Sequence, residues 1–246
     1  MIVLQIALPL LKLKEKLLLP IVQGGMGVGI SAHRLAGTVA RSGAVGTISS
    51  VDLRRHHPDL MAQTHRSRDK ELIDSVNLIA LDREIKAARA LAAGRGMLAV
   101  NVMRAVSEYA SSVRQACASG IDAIVVGAGL PLDLPELTAH YPKVALIPIL
   151  SDVRGIALIL KKWMRKNRLP DAIVIENPRY AGGHLGAANP DDVSDPHFAF
   201  PTVLEGTLEL FRQLGLERER IPLIAAGGIN SHQEVCELSA LGASAV

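Results

Sequence analysis

The residues best suited to chemistry lie in the stretch Ala181-Gly182-Gly183-His184-Leu185-Gly186. It follows the apolar run Ala172-Ile173-Val174-Ile175, which reads as a buried strand. Small residues directly after a strand let backbone approach a ligand closely, because no Cβ stands in the way. A histidine flanked by glycines has little to pack into a core. His184 therefore reads as an imidazole presented to a ligand, suited to proton transfer or to hydrogen bonding near neutral pH. Two other polar residues close apolar runs. Asn101, after Met97-Leu98-Ala99-Val100, either hydrogen-bonds a ligand or caps a turn. Glu176 either orients a ligand hydroxyl or anchors its loop.

The elements that must position these groups are legible as an alternation. Apolar strands are expected at residues 19–23, 44–48, 97–102, 122–126, 144–149, 172–175 and 222–226, with an eighth opening at 243–246. Residues 1–18 read as two short strands, a hairpin closing one end. Helices are expected between the strands, among them 32–41 capped by Ser31, a long one over 69–93, and a last one capped by Ser231. In the long helix the apolar residues Leu72, Val76, Ile79, Ile85 and Ala88 mark the buried face. Residues 187–201 read as a long loop. A strand–helix period of about 30 residues argues for a (β/α)8 TIM barrel, in one domain over 1–246, with a doubly wound open sheet as runner-up. Most of strand 8 and helix 8 are missing from this alternation. The expectation is therefore a barrel with an exposed sheet edge, whose C-terminal part lies outside these residues.

Such barrels carry their active sites at the C-terminal ends of the strands. Glycines recur at that rim: Gly24 to Gly27, Gly127 and Gly129, Gly182 to Gly186, and Gly227-Gly228. Together they leave room for a broad planar ligand. Gly227-Gly228 before a Ser-capped helix suits a phosphate site. Gly27-Val28-Gly29 has no third glycine or acidic residue at the spacing of a dinucleotide fingerprint.

Composition narrows the rest. The 246 residues are 49% hydrophobic and only 3% aromatic, so the core is aliphatic, as in helix-covered parallel sheets. The net charge of +3 is scattered, and nothing suggests a nucleic-acid surface. Cys117 and Cys236 have no CxxC partners, which argues against a disulfide framework or a zinc site. The apolar opening, residues 1–11, is too short to cross a bilayer and lacks a signal peptide's features, so the protein reads as soluble and cytoplasmic, without a membrane partner. The segment with Arg54, Arg55, His56, His57 and His65 reads as a solvent-exposed loop or lid rather than a metal site.

Five segments carry a family resemblance. They are Pro20-Ile21-Val22-Gln23-Gly24-Gly25-Met26, Val100-Asn101-Val102-Met103, Val126-Gly127-Ala128-Gly129, the stretch from Glu176 to Gly186, and Ile224-Ala225-Ala226-Gly227-Gly228-Ile229. In this order they resemble the nitronate monooxygenase (2-nitropropane dioxygenase-like) flavoproteins and the related flavin-dependent enoyl-acyl-carrier-protein reductases. The resemblance implies FMN as cofactor and oxidation of alkyl nitronates with O2. The alternative is NAD(P)H-dependent reduction of an enoyl thioester, and a non-catalytic or fragmentary barrel is a further one. It implies that Gly25 and Met26 touch the flavin, that Asn101 and the pair Glu176 and Asn177 hydrogen-bond it, that Gly182 packs near it, that Gly227 and Gly228 hold its phosphate, and that His184 is catalytic. The family places Glu or Gln seven residues before its histidine. Here Asn177 stands at that position and Glu176 one further back, which leaves the role open between them. The family's Gln-x-Gly-Thr stretch, which completes its phosphate site, would follow Val246, and FMN binding is expected to weaken without it.

Overall fold

The structure is a computed structural model that describes residues 8–182, 186 and 189–246. His184 lies outside the described residues. The strands are β1 (Leu11–Leu13), β2 (Lys16–Leu18), β3 (Val45–Ser49), β4 (Met97–Met103), β5 (Ala123–Gly127), β6 (Ala145–Leu150), β7 (Ile173–Glu176) and β8 (Leu223–Ala226). The helices are α1 (His33–Arg41), α2 (Pro58–Thr64), α3 (Lys70–Ala92), α4 (Tyr109–Ala118), α5 (Leu134–Leu137), α6 (Val153–Met164), α7 (Phe200–Gln213) and α8 (His232–Leu241). Strands β3 to β8 form one parallel sheet in chain order.

The two edges of that sheet do not stay open. Residues 20–23 run beside β3, with the Gln23 N–H donating to Val45 O at 2.9 Å and the Val45 N–H to Ile21 O at 3.1 Å. Residues 244–246 run beside β8, with the Ser244 N–H on Leu223 O at 2.7 Å and the Ala225 N–H on Ala245 O at 3.0 Å. These flanking segments bond to each other: the Val22 N–H donates to Val246 O at 2.7 Å, and the Val246 N–H to Pro20 O at 3.1 Å. Three residues of the last strand thus suffice to join the edges, where an exposed edge was expected. The expected buried strand over 19–23 is a single bridge at Val22, with Leu19 and Ile21 exposed on its outer side.

Strand alternation sorts the core into two layers. Val22, Val45, Met97, Ala99, Ala123, Val125, Ala145, Ile147, Ala172, Val174, Ile224 and Ala245 point inward. Ile48, Leu98, Val100, Ile124, Leu146, Ile173 and Leu223 point outward and pack under the helices. Five of these inward residues are alanines, and the room they leave is filled by Leu11, Leu13 and Leu18 from the β1–β2 hairpin. The hairpin closes the N-terminal end, as its sequence suggests. Lys16 Nζ donates to Gly96 O at 2.7 Å and Lys14 Nζ pairs with Asp171 at 3.0 Å, which ties it to the loops that enter β4 and β7.

Local departures have local causes. In α3, Leu72 and Ile79 face solvent, while Val76, Ala80, Leu81, Ile85 and Ala88 are buried. Ala32, not Ser31, is the N-cap of α1, because the Ser31 hydroxyl is engaged in the loop before it. The Arg/His-rich segment is no open lid. It folds into a 3₁₀ turn over Leu53–His56 and then α2, with Arg54 buried and donating to Thr64 Oγ1 at 2.8 Å and to Asp52 at 2.9 Å. The loop after β7 contains three short 3₁₀ turns among the described residues, Pro178–Tyr180, Pro190–Ser194 and Pro196–Phe198. Among the described residues, no helix is long and apolar enough to cross a membrane.

If the hairpin leucines fill the barrel, Leu13→Ala leaves a cavity there. Urea denaturation should show a loss of about 2–5 kcal/mol. Unchanged stability would mean that the hairpin is not part of the core.

Candidate active site

The C-terminal rim is built first by the loop after residue 23. Gln23 is its anchor: Oε1 accepts the Thr47 N–H at 3.0 Å, and Nε2 donates to Ser31 Oγ at 2.8 Å and to Gly24 O. The Ser31 hydroxyl donates to Gly24 O at 3.0 Å and accepts the Met26 N–H at 2.9 Å. The loop is thereby folded back over the ends of β3 and β4. Gly25 lies so close to Asn101 that a Cβ would stand 2.4 Å from the Asn101 Cβ. Met26, Val28 and Ile30 are exposed and form an apolar lip.

Asn101 ends up at the junction of loop and barrel. It points inward from β4 and is 9% exposed. Its Nδ2 donates weakly to Gly25 O at 3.4 Å, while Oδ1 is buried with no partner among the described residues. A buried carbonyl oxygen without a donor costs stability. Thr47, one strand away, has a second buried oxygen in the same condition.

Across the rim, a cavity of about 220 Å³ opens between the ends of β5, β6 and β7, walled by Ala128, Gly129, Ile149, Ser151, Asp152 and Glu176 among others. Asp152 caps α6 by accepting the Gly155 N–H at 2.7 Å. Gly186 lines the same cavity, packed against Ser151 so tightly that no Cβ fits. Of the two candidate residues at the end of β7, Glu176 lines the cavity. Asn177 instead shapes the backbone: its N–H bonds Ala226 O at 3.0 Å and its Oδ1 accepts the Arg179 N–H at 3.0 Å. Gly182 is exposed, and nothing lies within 4 Å of where its Cβ would be.

Gly227 and Gly228 adopt φ of +95° and +78°, the left-handed region that glycine tolerates. Their N–H groups and that of Ile229 have no hydrogen-bond partner among the described residues. Consecutive N–H groups in such a turn make an anion-binding concavity. Two neighbours shape it. The Tyr180 ring covers Gly228, where a Cβ would meet it at 2.8 Å. Glu234 folds back in a capping box and accepts the Asn230 and Ser231 N–H groups at 3.0 Å, which holds its carboxyl below the usual carboxylate range. An anion bound at Gly227-Gly228 would share the start of α8 with this carboxylate.

Behind the first loop, Glu84 on α3 is 1% exposed and fastens two segments. Its Oε2 accepts the His33 N–H at 2.7 Å and faces His33 Nδ1 at 2.8 Å, while Oε1 lies 3.1 Å from His57 Nε2. His56 in turn lies against Gly29. Among the described residues no three His, Cys, Asp or Glu are grouped to hold a metal ion. The sequence reading missed Gln23, Thr47, Glu84 and Tyr180. Thr47 and Glu84 carried a signal, each being a polar residue at a position that alternation or helical period assigns to the interior.

Among curated proteins, none matches the chain. Solved structures are similar in fold. FabK from Thermotoga maritima superposes with a TM-score of 0.62 at 20% identity, covering 92% of this chain and 56% of that one. Nitroalkane oxidase from Streptomyces ansochromogenes gives 0.64 at 16%, covering 92% and 63%. The chain thus spans about three-fifths of the length of these relatives. The family comparison reaches further than fold. With residues 9–246 matching from the hairpin to the last strand, the chain belongs to the nitronate monooxygenase family, whose members are FMN-dependent oxidoreductases.

Proposed function

We propose that the chain binds FMN at the C-terminal rim and oxidises alkyl nitronates or nitroalkanes with O2. The observation that carries this reading is the family match over residues 9–246. The residues present suit the cofactor. Asn101 Oδ1 is a buried acceptor in need of a donor, and Gly227, Gly228 and Ile229 offer amides to a phosphate. Bound FMN supplies the two-electron chemistry between substrate and O2.

The chain's own residues do the rest. His184, two residues from the cavity-lining Gly186, takes the proton from the carbon that bears the nitro group, or pairs as an imidazolium with the oxygens of a nitronate. Glu176 holds the polar side of the cavity. Met26, Val28 and Ile30 offer an apolar lip to an alkyl substituent and keep water from it.

His184→Ala should retain FMN and lose at least ~10²-fold in turnover, the usual scale for a positioned acid–base group. Unchanged turnover would remove His184 from the chemistry. Gly25→Ala should purify with less flavin, since its Cβ would collide with Asn101; full flavin content would show that the loop does not touch the cofactor. Anaerobic mixing with NADH or NADPH separates the two activities. A flavin that stays oxidised, with O2 uptake on adding a nitronate, supports the oxidation. Rapid bleaching supports enoyl-thioester reduction instead.

A further inference from the structure

We propose that Thr47 is a second buried contact for the polar edge of the flavin ring, acting beside Asn101. The proposal rests on FMN binding at this rim. Thr47 is 1% exposed on β3. Its neighbours fix its direction: Gly46 packs against Ala36 of α1, Ile48 lies in the outer layer and Val45 in the inner one, so Thr47 faces inward. Its backbone N–H is taken by Gln23 Oε1, yet its Oγ1 has no partner among the described residues. In the ladder Thr47 pairs with Ala99 and Ser49 with Asn101, so the two orphaned oxygens sit on adjacent strands, on the same face and one inward position apart. Around them the inward residues Val22, Val45, Met97, Ala99 and Val125 are apolar.

The chemistry of the pair is selective. An amide oxygen only accepts, whereas a hydroxyl also donates. One acceptor beside one donor complements a ring edge that presents an N–H next to a C=O, as the pyrimidine end of a flavin does. Valine has the shape of threonine without the hydroxyl. In the empty protein the hydroxyl is therefore a cost, of the kind an unsatisfied buried group imposes, and a bound ring relieves it.

This predicts opposite effects of one substitution on two measurements. Protein freed of flavin is unfolded in urea, and FMN is titrated by quenching of its fluorescence. Thr47→Val should leave the flavin-free protein as stable as wild type or more so, and raise the Kd for FMN about 2–10-fold, the range of one lost hydrogen bond. Thr47→Ala, which adds no bulk, should weaken FMN similarly. Thr47→Ser, which keeps the hydroxyl, should bind within a factor of about 2 of wild type. If the Val and Ala variants both bind FMN as wild type does, the hydroxyl serves only the protein or a trapped water and the proposal falls. A wild-type chain that takes up no FMN overturns the cofactor reading first, and this one with it.

Discussion

The backbone hydrogen bonds between residues 20–22 and Val246 are what everything else in this molecule depends on. They join the two edges of a parallel sheet whose other contacts are made in chain order. Once the ring is closed, every strand has one inward and one outward face, and all strand ends of one polarity meet at a single rim. That is why residues as distant in sequence as Gly25, Asn101, Glu176 and Gly227 share one end of the fold. A one-residue slip in residues 20–23 would turn Val22 outward and Gln23 into the core. Gln23 would then lose Thr47, Ser31 and Gly24 together.

The closed ring also divides its interior by polarity. Below, alanines on β4, β5 and β6 and before β7 give way to three leucines of the hairpin, and that end is filled. Above, Asn101 and Glu176 replace apolar side chains on the inward face, and Thr47 does so in the row of Ala99. The buried oxygens of Thr47 and Asn101 have no donor among the described residues, so this inward face is less stable than it would be with apolar substitutes. The rim loop is in turn held from behind by Ser31 and, through α1, by Glu84.

Much of this was legible in the sequence because strand and helix periods differ and glycines mark strand ends. The barrel, the plugging hairpin, the capping role of Ser231 and the place of Asn101 at the end of an apolar strand all follow from such patterns. What the patterns could not resolve was competition for a single group. Ser31 looks like a helix cap, but its hydroxyl serves Gly24 and Met26. Asn177 holds the family spacing, yet its side chain closes a turn and Glu176 reaches the cavity. The Arg/His-rich segment reads as exposed because its charges are many. Arg54 is nonetheless buried, since Asp52 and Thr64 meet its guanidinium. Alternation shows which way a side chain points, not which partner it finds.

Whether this rim holds FMN can be read from the protein itself. The most direct measurement is to denature the purified protein and identify the released flavin by mass and by its ratio to protein. FMN should be released at near one per chain, either as purified or after incubation with added FMN and removal of the excess. A protein that releases no flavin and takes up none when FMN is added would contradict FMN binding at this rim.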